Sequence, residues 1–259
     1  MLSQDSLERA ADAAGIDVPP RFFEETPTTN AMALDLAVGG APEWTVVAAG
    51  HQTAGRGRLG RSWASAPGRS LLFSMVLRPP VPPQRAPVIS LLAASVMAEA
   101  CPRLPDGAVR TKWPNDLVVR GRKLGGLLPE GRVEGGTLRS LVLGVGVNAT
   151  MSEEDLPPDL RATATSLAIE GAPVEPEDLL GLFLSGFRAA YHPIHPDFGT
   201  HVLARYRGTC ATIGRRVRAR TTDGSVVEGS AVDLDPDGGL VIADGGRRTV
   251  AFGEVVHLD

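Results

Sequence analysis

The chain changes its pattern near residue 206, and this change limits the folds that it can adopt. Residues 206–259 read as short alternating strands separated by Asp-Gly turns at 223–224, 237–238 and 244–245, which is typical of a small β-barrel or meander. The preceding residues instead mix helical and strand patterns. We therefore expect a mixed α/β domain over 1–205 and a β-rich module over 206–259.

The first domain is predicted to alternate helices with buried strands. Thr28 or Thr29 can cap a helix, and the apolar stretch that ends at Asn148 has the near-continuous character of a buried strand. A turn is expected at Pro114-Asn115-Asp116. The remaining predicted elements are helices over 3–15, 88–101 and 175–194, and strands over 21–25, 45–49 and 70–78.

The bulk composition excludes several classes of protein. The formal net charge of -4 argues against a general nucleic-acid coat, and no apolar run approaches the ~20 residues of a membrane span. The N-terminus lacks the pattern of a signal peptide, so we expect a cytoplasmic protein without a membrane partner. Cys101 and Cys210 are expected to be buried thiols, and the histidines show no zinc-ligand spacing, so no metal site built from protein ligands is predicted.

The stretch AAGHQTAGRGRLGRSW, residues 48–63, contains a formal G-x-G-x-x-G. A dinucleotide-binding turn would need a helix after the third glycine and an acidic residue ~20 positions later. Pro67 and Gly68 break any helix here, and no acidic residue occurs between Gly60 and Arg85. A mobile loop that grips an anion through backbone N–H groups and arginines fits better.

Lysine is nearly absent from this chain. Of 26 basic residues only Lys112 and Lys123 are lysines, and both lie in TKWPNDLVVRGRKLGGLLPE, residues 111–130. Arginine cannot replace a compact ammonium group at every site. These two positions are therefore candidates for a specific chemical role. No G-x-S-x-G or P-loop lysine motif occurs, which argues against a hydrolase or a Walker ATPase.

Several motifs taken together resemble those of the biotin–protein ligases, or biotin–[acetyl-CoA-carboxylase] ligases. They are GRGRLGR (55–61), KWPNDL (112–117), KLGGLL (123–128) and GVGVN (144–148), in that order, with TTN (28–30) and ATSL (164–167) also similar. The resemblance covers roughly residues 22–170, and the β-rich tail matches the family's C-terminal module in position. It implies an α/β (α+β) fold, with a mixed-sheet class II synthetase-like catalytic domain and a small SH3-like β-barrel.

The resemblance also implies a two-step reaction. Biotin and ATP form biotinyl-5'-AMP with Mg2+ as counter-ion, and a lysine of a biotin carboxyl carrier protein domain then takes the biotinyl group. The catalytic candidates are Lys123, Arg58 and Asp116, with Asp116 as proton acceptor or positioning group. The biotin-binding candidates are Thr28, Thr29, Asn30, Gln52, Gly55, Arg56, Arg58, Lys123 and Gly126. The candidates for ATP or adenylate are Arg56, Arg58, Arg61, Trp63, Lys112, Asn115, Lys123 and Asn148.

Two departures from the family pattern are informative. Leu59 stands at the centre of the loop, where many relatives carry a polar or basic residue, and this puts contacts at that position in doubt. Only about twenty residues precede Phe22, too few for the winged-helix domain of bifunctional relatives. We therefore expect a ligase that does not bind DNA. We expect it to be a monomer or a homodimer.

Three alternatives remain open from the sequence. A lipoate or octanoyl transferase or ligase shares the fold superfamily, although the Arg-rich loop and the KWPND and KLGG motifs favour biotin. A sensor could bind biotin or its adenylate without ligating it. The basic cluster of Arg215, Arg216, Arg218 and Arg220 could serve a nucleic acid, an acidic carrier domain, or simply an exposed strand face.

Overall fold

The computed structural model describes residues 2–105 and 107–258. The elements of the first domain are, in chain order, α1 (Gln4–Ala13), β1 (Arg21–Thr26), α2 (Thr29–Val38), β2 (Val46–Gln52), β3 (Ser70–Leu77), α3 (Ala86–Ala100), β4 (Arg110–Lys112), β5 (Asp116–Val119), β6 (Arg122–Glu134), β7 (Thr137–Asn148), α4 (Pro176–Ala190) and α5 (Phe198–Thr209). They form the predicted mixed α/β domain.

Seven strands of this domain make one mixed sheet in the order β1-β2-β3-β7-β6-β5-β4. Only the β1–β2 pair is parallel, and every other neighbouring pair is antiparallel. Helices α1, α3, α4 and α5 contribute to one large hydrophobic core. Helix α2 covers the opposite face, where Ala33 and Ala37 pack with Val47, Val76 and Val142.

Helix α2 covers only part of its face of the sheet. Along β7, Val142 lies under α2, and the next residues of the same parity are Gly144 and Gly146. Because side chains alternate between the two faces of a strand, these glycines leave open space beyond the first turn of α2. The uncovered part of this face is where the sequence motifs meet.

The C-terminal module is a five-stranded antiparallel sheet in the order β11-β10-β9-β8-β12. Its strands are β8 (Arg216–Thr221), β9 (Val226–Leu234), β10 (Leu240–Ala243), β11 (Arg247–Val250) and β12 (Gly253–His257). This confirms the expected β-rich tail. The predicted boundary at 205/206, however, lies inside α5, because that helix continues to Thr209.

Trp113 ties the two sheets together. Its backbone N–H donates to Thr212 Oγ1 at 3.1 Å, and its indole Nε1 donates to the Gly238 carbonyl at 2.9 Å. The Ala211 N–H also donates to the Thr111 carbonyl at 2.7 Å. The KWPND segment is therefore fixed against the small sheet, which brings β12 close to this segment.

Two expectations from composition concern the whole chain. Cys101 and Cys210 are both buried and not disulfide-bonded, as expected, and burial raises the pKa of the Cys101 thiol to about 12. No helix among residues 2–105 and 107–258 combines the length and apolar character that a membrane crossing requires.

Candidate active site

The motifs converge on one cavity of about 270 Å³ on the uncovered face of the large sheet. Its walls come from the start of α2, the loop after β2, the turn between β4 and β5, strands β6 and β7, and strand β12 of the small sheet. Most of the predicted site residues line it: Thr28, Thr29, Asn30, Gln52, Arg56, Arg58, Arg61, Trp63, Lys112, Asn115, Asp116, Lys123 and Gly126.

Glycines make the floor of this cavity. A Cβ at Gly144 would stand 1.9 Å from Asn30 Oδ1, and one at Gly146 would stand 2.9 Å from the Trp63 ring. Only glycine at these two positions lets both side chains lie against the sheet. The alternation of the GVGVN motif therefore has a steric reason.

The loop arginines are each held by a different element. Arg56 Nη2 pairs with Glu130 of β6 at 3.2 Å, and Arg58 Nη1 donates to Asn115 Oδ1 at 3.1 Å. Arg61 Nη2 reaches Glu254 of β12 at 2.5 Å. The loop thus lies over the cavity, attached to both sheets. No helix follows it, which agrees with the rejection of the dinucleotide reading.

The centre of this loop is exposed. Leu59 adopts a left-handed backbone conformation, with φ of 55°, and its side chain projects into solvent. It is absent from the residues that line the cavity. The position at which this chain departs from the family pattern therefore forms no part of the cavity wall.

Lys123 and Asp116 form the central charge pair. Lys123 Nζ lies 2.6 Å from Asp116 Oδ1, and the same ammonium lies 6.0 Å from the centroid of the Trp63 ring. A β-bulge between Leu117 and Val118 shifts the β5–β6 register opposite Lys123. Such bulges redirect side chains at sheet edges and next to active sites.

The backbone of Lys123 is fixed on its other side. Its N–H donates to the Thr163 carbonyl at 2.7 Å, and its carbonyl accepts from the Thr165 N–H at 2.8 Å. Thr165 Oγ1 donates to the buried Glu170 carboxylate, which also accepts from Arg122 at 2.7 Å. The ATSL segment thus holds β6 at the point where Lys123 enters the cavity.

Two further cations are partly desolvated. Burial lowers the pKa of Lys112, and the charge of Asp116 opposes this effect. Burial also lowers the pKa of Arg58, again against the opposing charge of Asp116. These shifts mean that burial penalises positive charge at both positions, and an anionic ligand would relieve that penalty.

The other end of the cavity carries neutral polar groups. The Thr29 N–H donates to Gln52 Oε1 at 2.8 Å, and the Thr29 hydroxyl lies 2.8 Å from Ser74 Oγ. Thr28 is the N-cap residue of α2, but its side chain makes no capping hydrogen bond. Thr28 therefore occupies the predicted cap position without using its side chain for capping.

Gly55 and Asn148 do not line the cavity. A Cβ at Gly55 would stand 2.5 Å from the Trp63 carbonyl, so this glycine permits the loop to close on itself. Asn148 is buried, donates to the Thr165 carbonyl at 2.9 Å and accepts weakly from Ser70. Its side chain joins the end of β7 to the ATSL segment.

Sequence reasoning missed three polar residues of this region. Glu130 and Glu254 anchor loop arginines, and Ser74 contacts Thr29 from inside the sheet. Glu130 lies two residues beyond the KLGGLL motif, which was the only available signal. No group of metal-binding side chains occurs among residues 2–105 and 107–258.

Comparison with known proteins identifies this arrangement. Residues 22–148 match the model of the biotin/lipoate A/B protein ligase family, and residues 212–258 match the biotin protein ligase C-terminal domain. The chain is 37% identical over 240 residues to the biotin–[acetyl-CoA-carboxylase] ligase of Mycobacterium tuberculosis, covering 90% of this chain and 87% of that protein. The chain belongs to the biotin protein ligase family.

Other members of this family differ in length. The bifunctional ligase/repressor BirA of Bacillus spizizenii is 33% identical over 216 residues, which are 83% of this chain but 66% of that protein. The chain thus spans about two thirds of that relative. The biotin protein ligase of Aquifex aeolicus, solved with biotin and ATP, superposes with a TM-score of 0.73 at 23% identity, covering 92% of this chain and 97% of that one. This likeness supports the fold of both sheets.

Proposed function

We propose that this chain is an ATP-dependent ligase that converts biotin to biotinyl-5'-AMP. It then transfers the biotinyl group to a specific lysine of a biotin carboxyl carrier protein domain of a biotin-dependent carboxylase. The family membership supports this activity. The observation that carries it is the division of one cavity into a cationic end and a neutral, hydrogen-bonding end.

This division matches the two substrates. Lys112, Arg58 and Arg61 gather positive charge at one end, where Lys112 and Arg58 both interact with Arg61, and Lys123 interacts with Lys112. Thr29 and Gln52 provide hydrogen-bonding groups without charge at the other. Biotin has a neutral ureido ring and a carboxylate tail, so its ring fits the neutral end while its carboxylate meets Lys123. ATP would then occupy the cationic end.

The first step brings two anions together. A carboxylate oxygen of biotin attacks the α-phosphorus of ATP, the bond from that phosphorus to the bridging oxygen breaks, and pyrophosphate leaves. Catalysis comes mainly from alignment and from positive charge placed in advance. Lys123 touches both the carboxylate and an α-phosphate oxygen, while Arg56, Arg58 and Arg61 close over them. Lys112 and Asn115 hold the phosphates or ribose.

The second step needs a neutral amine. The acceptor lysine loses a proton, its nitrogen attacks the carbonyl carbon of the mixed anhydride, and AMP leaves with the electron pair. Asp116 is the carboxylate beside Lys123, so it accepts this proton or positions the incoming amine. Trp63 stacks on the adenylate through the face of its ring. Its buried Nε1 donates to no acceptor among the described residues.

Magnesium enters as part of the nucleotide substrate. The carboxylates beside the cavity are already paired, Asp116 with Lys123, Glu130 with Arg56 and Glu254 with Arg61. Phosphate oxygens and water therefore supply most of its ligands, as is usual for this ion.

Lipoate is the alternative substrate that this fold superfamily could accept. Its ring has no N–H or carbonyl groups, so it would leave Thr29 and Gln52 without ligand hydrogen bonds. Biotin is therefore the better match for the neutral end.

The test is a two-stage assay with the purified chain. Pyrophosphate release is measured with ATP and either biotin or lipoate, and mass spectrometry then follows transfer to a carrier domain. We expect pyrophosphate release and transfer with biotin but not with lipoate. Release with lipoate in place of biotin would assign the chain to the rival activity. Binding of biotin without release would make it a sensor.

A further inference from the structure

A chain of hydrogen bonds runs behind the neutral end of the cavity. It begins at Arg56 of the loop and passes through Glu130 of β6, Asn30 of α2 and Ser74 of β3 to Thr29. Ser74 is fully buried and does not line the cavity. The proposed binding of biotin uses Thr29 and Gln52 but gives no role to Glu130 or Ser74.

The orientation of the Asn30 amide is fixed by its partners. Asn30 Nδ2 lies 3.1 Å from the Leu128 carbonyl and 2.6 Å from Glu130 Oε2. A backbone carbonyl and a carboxylate can only accept hydrogen bonds, so the amide must turn its NH2 group toward them. Asn30 Oδ1 then faces Ser74, and the missing side chain at Gly144 leaves room for this orientation.

This orientation sets the direction of the next two hydroxyl groups. Ser74 Oγ lies 2.6 Å from Asn30 Oδ1, which can only accept a hydrogen bond. Ser74 therefore donates its single hydroxyl hydrogen to Asn30. The contact of 2.8 Å between Ser74 and Thr29 then requires Thr29 to donate. If Thr29 did not donate here, two buried lone pairs would face each other at the shorter of the two contacts that its hydroxyl makes, which is the more costly arrangement.

The direction of this hydrogen bond determines what the Thr29 hydroxyl can offer to a ligand in the cavity. The hydroxyl of Thr29 has one hydrogen, and it points into the sheet toward Ser74. The Thr29 hydroxyl also lies 3.1 Å from Gln52 Oε1, which accepts the Thr29 N–H at 2.8 Å, but the contact of the hydroxyl with Ser74 is the shorter of its two. With its hydrogen committed to Ser74, Thr29 Oγ1 offers a lone pair to the ligand.

We propose that Glu130, Asn30 and Ser74 are positioning residues that hold the Thr29 hydroxyl as an acceptor, and that this selects a ligand ring carrying an N–H donor. The inference rests on the proposed function and adds the origin of its specificity. A cyclic urea supplies such an N–H, and a dithiolane ring does not. An acceptor left without its donor in a buried site penalises the wrong ligand strongly.

The main test removes the middle of the chain. Ser74→Ala frees the Thr29 hydrogen, which then turns to Gln52 Oε1. We expect biotin affinity, measured by calorimetry, to fall about tenfold, the value of one buried hydrogen bond. The KM for ATP and the kcat of adenylation at saturating biotin should stay within about twofold. Ser95→Ala is the matched control, because it removes an equally buried hydroxyl that donates to the Leu91 carbonyl within α3.

A second measurement uses altered ligands. Each of the two mono-N-methylated biotins replaces one ureido N–H by a methyl group. The unaltered chain should bind at least one of them much more weakly than biotin, and Ser74→Ala should show a smaller penalty for that same compound. An equal penalty in both proteins, or full biotin affinity in Ser74→Ala, would overturn the proposal.

A third pair of variants keeps the proposal testable if Ser74→Ala does not fold. Glu130→Gln keeps an acceptor for Asn30 Nδ2, whereas Glu130→Ala removes it, and both lose the charge that pairs with Arg56. We expect Glu130→Gln to retain biotin affinity and Glu130→Ala to lose it. Equal affinities in the two variants would contradict the proposal. Failure of the proposed function is distinct, because the unaltered chain would then release no pyrophosphate with biotin and ATP, whether or not it binds biotin.

Discussion

The ammonium of Lys123 lies 2.6 Å from the carboxylate of Asp116, across the β5–β6 ladder. The pair joins one of the two lysines of the chain to the last residue of its KWPND motif. Within this pair each charge compensates the other. Under the proposed mechanism, the oxygens of biotin and ATP compete with Asp116 for the ammonium, so that Asp116 becomes available for the second step.

Asp116→Asn should separate the two steps. Asparagine cannot take a proton from the acceptor lysine, so we expect transfer from preformed biotinyl-5'-AMP to slow by about 10²–10⁴-fold, the usual contribution of a general base. Transfer to hydroxylamine, whose nitrogen is already neutral near pH 7, should slow much less. Equal losses with both nucleophiles would show that Asp116 does not handle the proton.

Gly144→Ala should damage both stability and biotin binding. The added methyl group would stand 1.9 Å from Asn30 Oδ1, so Asn30 must leave its place. We expect a loss of about 1–3 kcal/mol in the free energy of unfolding and a raised KM for biotin. Gly208→Ala in α5 is the control, because nothing lies within 4 Å of its added Cβ. A biotin KM unchanged by Gly144→Ala would argue against this packing.

The titration of Lys112 should make ATP binding depend on pH. Burial lowers its pKa, and bound phosphate would favour the ammonium and raise that pKa again. Between the lower pKa of Lys112 without ATP and its higher pKa with ATP bound, binding of ATP takes up a proton. The affinity for ATP should therefore fall as the pH rises through that interval. The KM for ATP should accordingly increase with pH from the lowered pKa of Lys112 upward, beginning below the ordinary lysine value of about 10.4. Lys112→Arg should flatten this profile, since arginine stays charged throughout.

Glu254→Gln should loosen the loop without unfolding the protein. The Arg61–Glu254 pair joins the loop to β12, but Arg61 is largely exposed, so its effect on overall stability is small. We expect faster tryptic cleavage within residues 56–61 and protection when biotin and ATP are both present. Glu228→Gln, which removes the partner of Arg218 within the small sheet, is the control. Equal cleavage of the two variants would argue against anchoring by Glu254.

The sequence motifs predicted the residues that line the cavity better than they predicted the residues that support them. The order and spacing of GRGRLGR, KWPNDL and KLGGLL indicated one ligand site, and the structure brings them to one cavity. Ser74 was missed, and Gly144 was recognised only as part of the GVGVN motif, because β3 and β7 are buried on both faces. Their sequences therefore do not show which residues face α2.

Two further features escaped sequence reasoning for different reasons. Helix α5 was not predicted, since Pro193 and Pro196 interrupt the preceding segment and its pattern is only weakly amphipathic. Glu130 belongs to the same strand as Lys123, but its partners Asn30 and Arg56 are 100 and 74 residues away. Contacts over such separations follow from the sheet order, which local patterns do not specify.

The most direct test of the central claim is biotin-dependent exchange of label between pyrophosphate and ATP, measured with the unaltered chain and with Lys123→Arg. This exchange reports reversible adenylation alone, and arginine keeps the charge while changing the shape of the cation. We predict exchange that requires biotin in the unaltered chain and a loss of about 10²–10³-fold in the variant. Lys112→Arg, the same change at the other lysine, should cost far less. Near-normal exchange in Lys123→Arg, or exchange without biotin, would contradict the account.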